Sequence, residues 1–202
     1  MQIVTLAKSW REGGICFAGK DIKTKKWTRP VTESGPIPKE IASNINLLDI
    51  VDINITRPCP NLHQQENYFF LGNNWKKIGT LKKLQLINLV DDVESIWDHK
   101  NSIGADRLYP EDIKTYGIST SLMLIKVNSS KMFLNDYGKW ACNFIYKNVE
   151  YTLRITDTEA NKKFKNGQIL NEPFFCISLA SPWHNSNTNR YECFKLIAGV
   201  IL

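Results

Sequence analysis

The sequence predicts a mostly β chain with minor α, arranged as two packed five-stranded barrels, and three observations carry that prediction. Each half holds about five short runs rich in β-branched and aromatic residues. Each half also has one short helical pattern, and Gly, Pro and Asn clusters separate the runs. The structural alternative is a single β-sandwich or barrel. With 202 residues, 43% hydrophobic and 23% charged, the chain can bury one large core or two small ones, which sets disorder aside. The division expected is a first barrel with a connecting helix over 1–100, a connector over 101–120 and a second barrel over 121–202.

In the first half, residues 2–7, 14–19, 26–29, 47–55 and 66–71 read as strands. Gly13 to Gly19, the turn Lys20 to Lys26 and Trp27-Thr28-Arg29-Pro30 form an expected hairpin, whose second strand stops at Pro30 because proline cannot donate to a ladder. Ser34 to Pro38 is a loop, and Lys39 to Ile45 allows a helical turn or two. The run Leu48, Ile50, Val51, Ile53, Ile55 is dense enough for a central strand. Residues 76–90 settle on neither period and lean to a helical turn followed by a strand. Asp91 to Trp97 predicts a helix, from its acidic first turn and its apolar residues at i, i+3 and i+4.

Asn101 to Tyr116 is a loop and the natural boundary. Beyond it, 122–127, 140–146 and 151–156 are strands, with Lys147-Asn148 as a tight turn. Asp157 to Asn166 predicts a short helix with Ala160 and Phe164 inward, and 174–179 and 193–201 close the set.

Charge is unevenly placed. Residues 1–90 carry 13 Lys/Arg against 7 Asp/Glu, residues 91–120 carry 3 against 7, and residues 121–202 carry 10 against 6, for balances of +6, −4 and +4. Two basic segments flank an acidic one, as expected if the connector turns away from a polyanion. Lys8, Arg11, Lys20, Lys23, Lys25, Lys26 and Arg29, with Trp27 among them, are the candidate nucleic-acid contacts, because phosphate attraction and base stacking need that mixture. Trp27 and Arg29 share one strand face.

The motifs, in order, are Lys8, Gly13-Gly14-x-Cys16-x-Ala18-Gly19, Trp27-x-Arg29-Pro30, Gln64-x-Glu66-Asn67, Ile155-Thr156-Asp157 and Lys195 to Ile201. Together they span nearly the whole chain, which on them resembles the bacterial dual OB-containing domain family. That resemblance implies two OB-like barrels in one unit. OB barrels frequently bind oligonucleotides or oligosaccharides, so a binding function follows only by analogy of fold, and no catalytic residue is carried over.

Catalytic chemistry finds no foothold in the motifs: a nucleophile elbow, a phosphate-cradling glycine loop and clustered carboxylates are all lacking in recognisable form. Glu66 and Asp157 could pair for acid/base or Mg²⁺ work, but turn carboxylates ordinarily cap backbone amides. Cys59 and His63 have no second pair at zinc spacing, so neither metal nor cofactor is expected. The five scattered cysteines read as buried free thiols. With no bilayer-length apolar run, a cytoplasmic protein without a membrane partner is expected.

The further motif-loop candidates are Gln64, Glu66, Asn67, Arg154, Asp157, Trp183 and His184. The function expected is a non-catalytic module for single-stranded nucleic acid or structured RNA. Two other readings stay open: a protein-interaction subunit of a multi-component bacterial system, and a sensor of a small ligand or nucleotide.

Overall fold

The computed structural model describes residues 1–202 and is mostly β. Its first sheet uses β1 (Gln2–Arg11), β2 (Gly14–Asp21), β3 (Trp27–Val31), β4 (Asp49–Asp52), β5 (Ile55–Pro58), β6 (Asn67–Phe70) and β7 (Lys76–Thr80), in the order β5-β6-β3-β2-β1-β4-β7. The second sheet uses β8 (Arg107–Leu108), β9 (Leu122–Lys126), β10 (Ser129–Leu134), β11 (Trp140–Tyr146), β12 (Val149–Ile155), β13 (Ile169–Asn171), β14 (Phe174–Leu179), β15 (Trp183–Asn185) and β16 (Arg190–Ile201). Its main path runs β13-β10-β11-β12-β16-β14-β9, with β8 and β15 also on β16. Each sheet is drawn from one half of the chain, so the strands of the halves do not interleave as a sandwich of mixed strands would require.

The predicted hairpin forms, pairing Gly19 with Thr28 and Lys20 with Trp27. The strand does not stop at Pro30, however. β3 continues beside β6, with Arg29 opposite Asn67 and Pro30 opposite Tyr68 in parallel register. The Arg29 N–H donates to the Glu66 carbonyl at 2.8 Å, so the next residue's nitrogen faces β2, where the ladder has already ended at Thr28. Proline there removes no bond. Lys147 and Asn148 both take positive φ in the β11–β12 turn, as expected of a tight hairpin.

Asp91 to Trp97 is not a helix but an irregular run of bends. The reason lies in Asp91, whose carboxylate accepts from Lys20 Nζ, from the Trp27 indole at 3.0 Å and from the Leu124 amide at 2.8 Å. A side chain tied to three distant donors cannot cap its own helix. The acidic connector therefore turns partly inward, since Asp98 also meets a buried lysine, Lys195, at 2.6 Å, while Asp92 and Glu94 stay exposed. Residues 76–90 run strand first, then a 3₁₀ turn over Lys83–Leu89, the reverse of the expected order. The expected loop 101–116 contains β8 and the helix α1 (Pro110–Thr115), which starts on a proline that needs no donor there.

Three apolar clusters make the core. One lies in the second half around Phe144, Tyr151 and Phe175, and one in the first half around Ile3, Phe17 and Ile37. The third joins Val4, Leu6 and Ala18 of the first half to Leu124, Cys176 and Ala198 of the second. The halves thus share a seam of core. No helix is long and apolar enough to cross a membrane.

Candidate nucleic-acid interface

The loop before β6 reaches across the seam. Leu62 takes a positive φ in a turn closed by paired bonds between Asn61 and Gln64, and that turn delivers His63, Gln64 and Glu66 to the second half. The His63 ring bonds the Leu179 carbonyl at 3.1 Å, and Gln64 donates to Ser181 Oγ at 3.1 Å. Glu66 accepts from the Ser121 hydroxyl and faces Arg29 Nη2 at 3.4 Å, while Ser178 Oγ also meets Nη2 at 3.4 Å. The Trp-x-Arg-Pro and Gln-x-Glu-Asn motifs therefore meet at one buried polar node.

Burial pushes the His63 pKa down, against a smaller rise from its backbone acceptor. The unfolded chain then takes up a proton on this histidine at a pH where the folded chain does not, and stability falls as pH drops below about 6.5. Urea titrations at pH 7.5 and 5.5 should show the loss in the native chain and a smaller one in His63→Gln.

Above this node lies a groove of connected cavities. One of about 230 Å³ is lined by Arg29, Gln64, Asn67, Cys16, Cys59 and Phe69, among others. It adjoins one of about 340 Å³, and the two share Arg11, Cys16, Arg29, Gln64 and Ser181. Trp10 and Trp183 line the second, 53% and 55% exposed. Trp10 also borders a third cavity, with Lys139, Trp140 and Arg154. Its backbone pairs with Ile15 near the end of β1, and Lys39 Nζ lies 5.0 Å from the centre of its ring. Large exposed indoles beside arginines give a stacking surface with cationic edges.

The expected contacts divide into three groups. Arg11, Arg29, Gln64, Asn67 and Trp183 line the groove, with Glu66 behind Arg29 and Arg154 in the adjoining cavity. Lys23, Lys25 and Lys26 are exposed at the hairpin tip, beyond the far end of β2 and roughly 17 Å from Cys16 at about 3.3 Å per strand residue.

The third group is internal. Lys8 is buried on the carbonyls of Ser43 and Ile45, and burial lowers its pKa against the pull of Glu159 and Asp157. Lys20 is buried on Asp91 and the Leu89 carbonyl at 2.7 Å, and the Trp27 indole is committed to the same carboxylate. These three side chains hold the fold and are not open to phosphates. Asp157 is likewise internal, accepting from Lys163 and from the Val200 amide. His184 is exposed on β15, bonded to Asn189 and away from the groove lining. Trp10 is not among the contacts expected from the sequence; its place beside Arg11 at the end of β1 is the signal that could have marked it.

Neither the curated proteins nor the solved structures offer a match to this chain. The family model for the dual OB-containing domain does match, over residues 1–200. With nearly every residue covered and two sheets that divide between the halves, the chain belongs to the dual OB-containing domain family.

Proposed function

We propose that the groove binds single-stranded nucleic acid, with bases stacked on Trp10 and Trp183 and phosphates held by Arg11, Arg154 and Lys139. The observation that carries this reading is the pair of half-exposed indoles lining one cavity with Arg11. The two indoles border one cavity instead of being scattered singly, and every base offers a π face to stack on them. Strands suit the groove better than duplex, whose bases are already stacked. The lysines at the hairpin tip extend the electrostatic reach of the site without fixing the strand.

Salt-titrated binding of single-stranded DNA, RNA and duplex tests the reading. Single strands should bind most tightly, with affinity falling linearly on a log–log plot. Charge reversal at Lys23, Lys25 and Lys26 should flatten the slope by about one unit for each phosphate that is no longer neutralised. Equal binding of duplex and single strands counts against the groove. A second reading, a protein-interaction subunit, draws support from Leu84 and Ile87, which project exposed from the 3₁₀ turn.

A further inference from the structure

We propose that the floor of the groove is an oxyanion site at Arg29 that takes a phosphate monoester, the phosphorylated end of a single strand. Resting on the strand-binding reading above, the site gives the bound strand a fixed end. Arg29 lines both cavities of the groove, yet it is only 6% exposed, whereas Arg11 on the same lining is open to solvent.

The protein leaves this buried guanidinium under-used. Its contacts are Ser178 Oγ and Glu66 Oε1, each 3.4 Å from Nη2. Both are longer than the roughly 2.7–2.9 Å of a charge-assisted bond, and Glu66 has donors of its own in the Ser121 hydroxyl and amide. Nε and Nη1 have no protein acceptor, and neither is among the fully enclosed polar atoms that lack one. They therefore keep the little exposure that Arg29 has, and the open space that Arg29 lines is the groove. Spare donors on a fixed cation are answered best by an oxyanion, because bonds between charged groups are about twice as strong as neutral ones. Glu12 and Glu33 also line the groove, but both are exposed, where water and salt screen them.

Burial selects among phosphates. An internal phosphodiester carries chain on two of its oxygens, so it reaches a buried guanidinium only if the strand runs in and out again. A terminal phosphate has one attachment and three free acceptor oxygens, and it enters end-first. Trp10 and Trp183 line the cavity of about 340 Å³ that holds Arg29, so the first bases stack there while the strand leaves past Trp10 toward Lys139 and Arg154.

Oligo(dT) labelled at an internal position, with a phosphate on its 5′ end, on its 3′ end or on neither, tests the assignment by fluorescence anisotropy. One of the two phosphorylated ends should bind roughly tenfold tighter than the strand with none, the effect of about one charge-assisted bond. Arg29→Gln should bring that ratio close to one. If this variant melts early because Glu66 is left unpaired, Arg29→Gln/Glu66→Gln removes both charges and repeats the measurement. A native chain that gains from neither end, or equally from both as its net charge of +6 alone would give, overturns the site and leaves strand binding standing. A folded variant that keeps the ratio does the same. If no strand binds, millimolar thymidine 5′- and 3′-monophosphate, compared with thymidine, separates the two ideas by NMR. Shifts at the Arg29 side chain with a nucleotide and none with the nucleoside then keep the oxyanion site and reject the strand, and no shifts reject both.

Discussion

Asp98→Asn should destabilise the chain by about 3–5 kcal/mol, the cost of leaving one partner of a buried ion pair uncompensated. Lys195 is 1% exposed, donates to Asp98 Oδ1 at 2.6 Å and sits 5.7 Å from the centre of the Tyr151 ring. The Tyr151 hydroxyl donates to the other carboxylate oxygen, and the Gly104 amide approaches the same atom at 3.4 Å. Burial pulls the Lys195 pKa down and Asp98 holds it up, so removing the carboxylate's charge leaves only the desolvation. The same burial, with Asp98 adding to it, raises the Tyr151 pKa and keeps the phenol a donor. The double variant Asp98→Asn/Lys195→Met should recover much of the loss, because an apolar side chain of similar length needs no partner. Urea midpoints at constant m-value measure all three.

Gly199→Ala should cost about 3 kcal/mol or more, through overpacking at the seam. A Cβ on Gly199 would lie 2.2 Å from the Leu6 carbonyl oxygen, a backbone atom that no rotamer change can move. Gly199 is on β16 and Leu6 on β1, so relief requires the two halves to part and the core shared by Leu6, Ala198 and Cys176 to open. Gly117→Ala is the control for the loss of glycine alone. Gly117 takes a positive φ with nothing near its Cβ position, and so carries only backbone strain. A thermal melt should show Gly199→Ala well below the control. Equal melting points would mean that the seam yields without cost.

Much of the strand pattern was legible because alternation and turn chemistry act locally. β11, β12 and the Lys147-Asn148 turn between them need no distant partner to be read. β10 escaped because only Ser130 and Met132 of its residues are buried, too sparse an alternation to stand out. Asp91 misled because an acidic residue before an apolar pattern looks the same whether it caps a helix or accepts from a lysine and an indole far along the chain. The site was legible in the same uneven way. The Trp-x-Arg-Pro and Gln-x-Glu-Asn motifs were visible as motifs, but their meeting across β3 and β6 depends on a parallel pairing that no local pattern announces. The basic hairpin drew attention by its charge density, whereas burial of Lys20 and exposure of Trp10 are decided by tertiary packing.

The most direct test is the quenching of intrinsic tryptophan fluorescence by a short single-stranded oligonucleotide, compared between the native chain and the variants Trp10→Ala, Trp183→Ala and their double. Each single variant should lose about 1–3 kcal/mol of binding with an unchanged salt slope, since stacking is removed and no phosphate contact is touched. Undiminished affinity in a folded double variant would contradict strand binding in the groove.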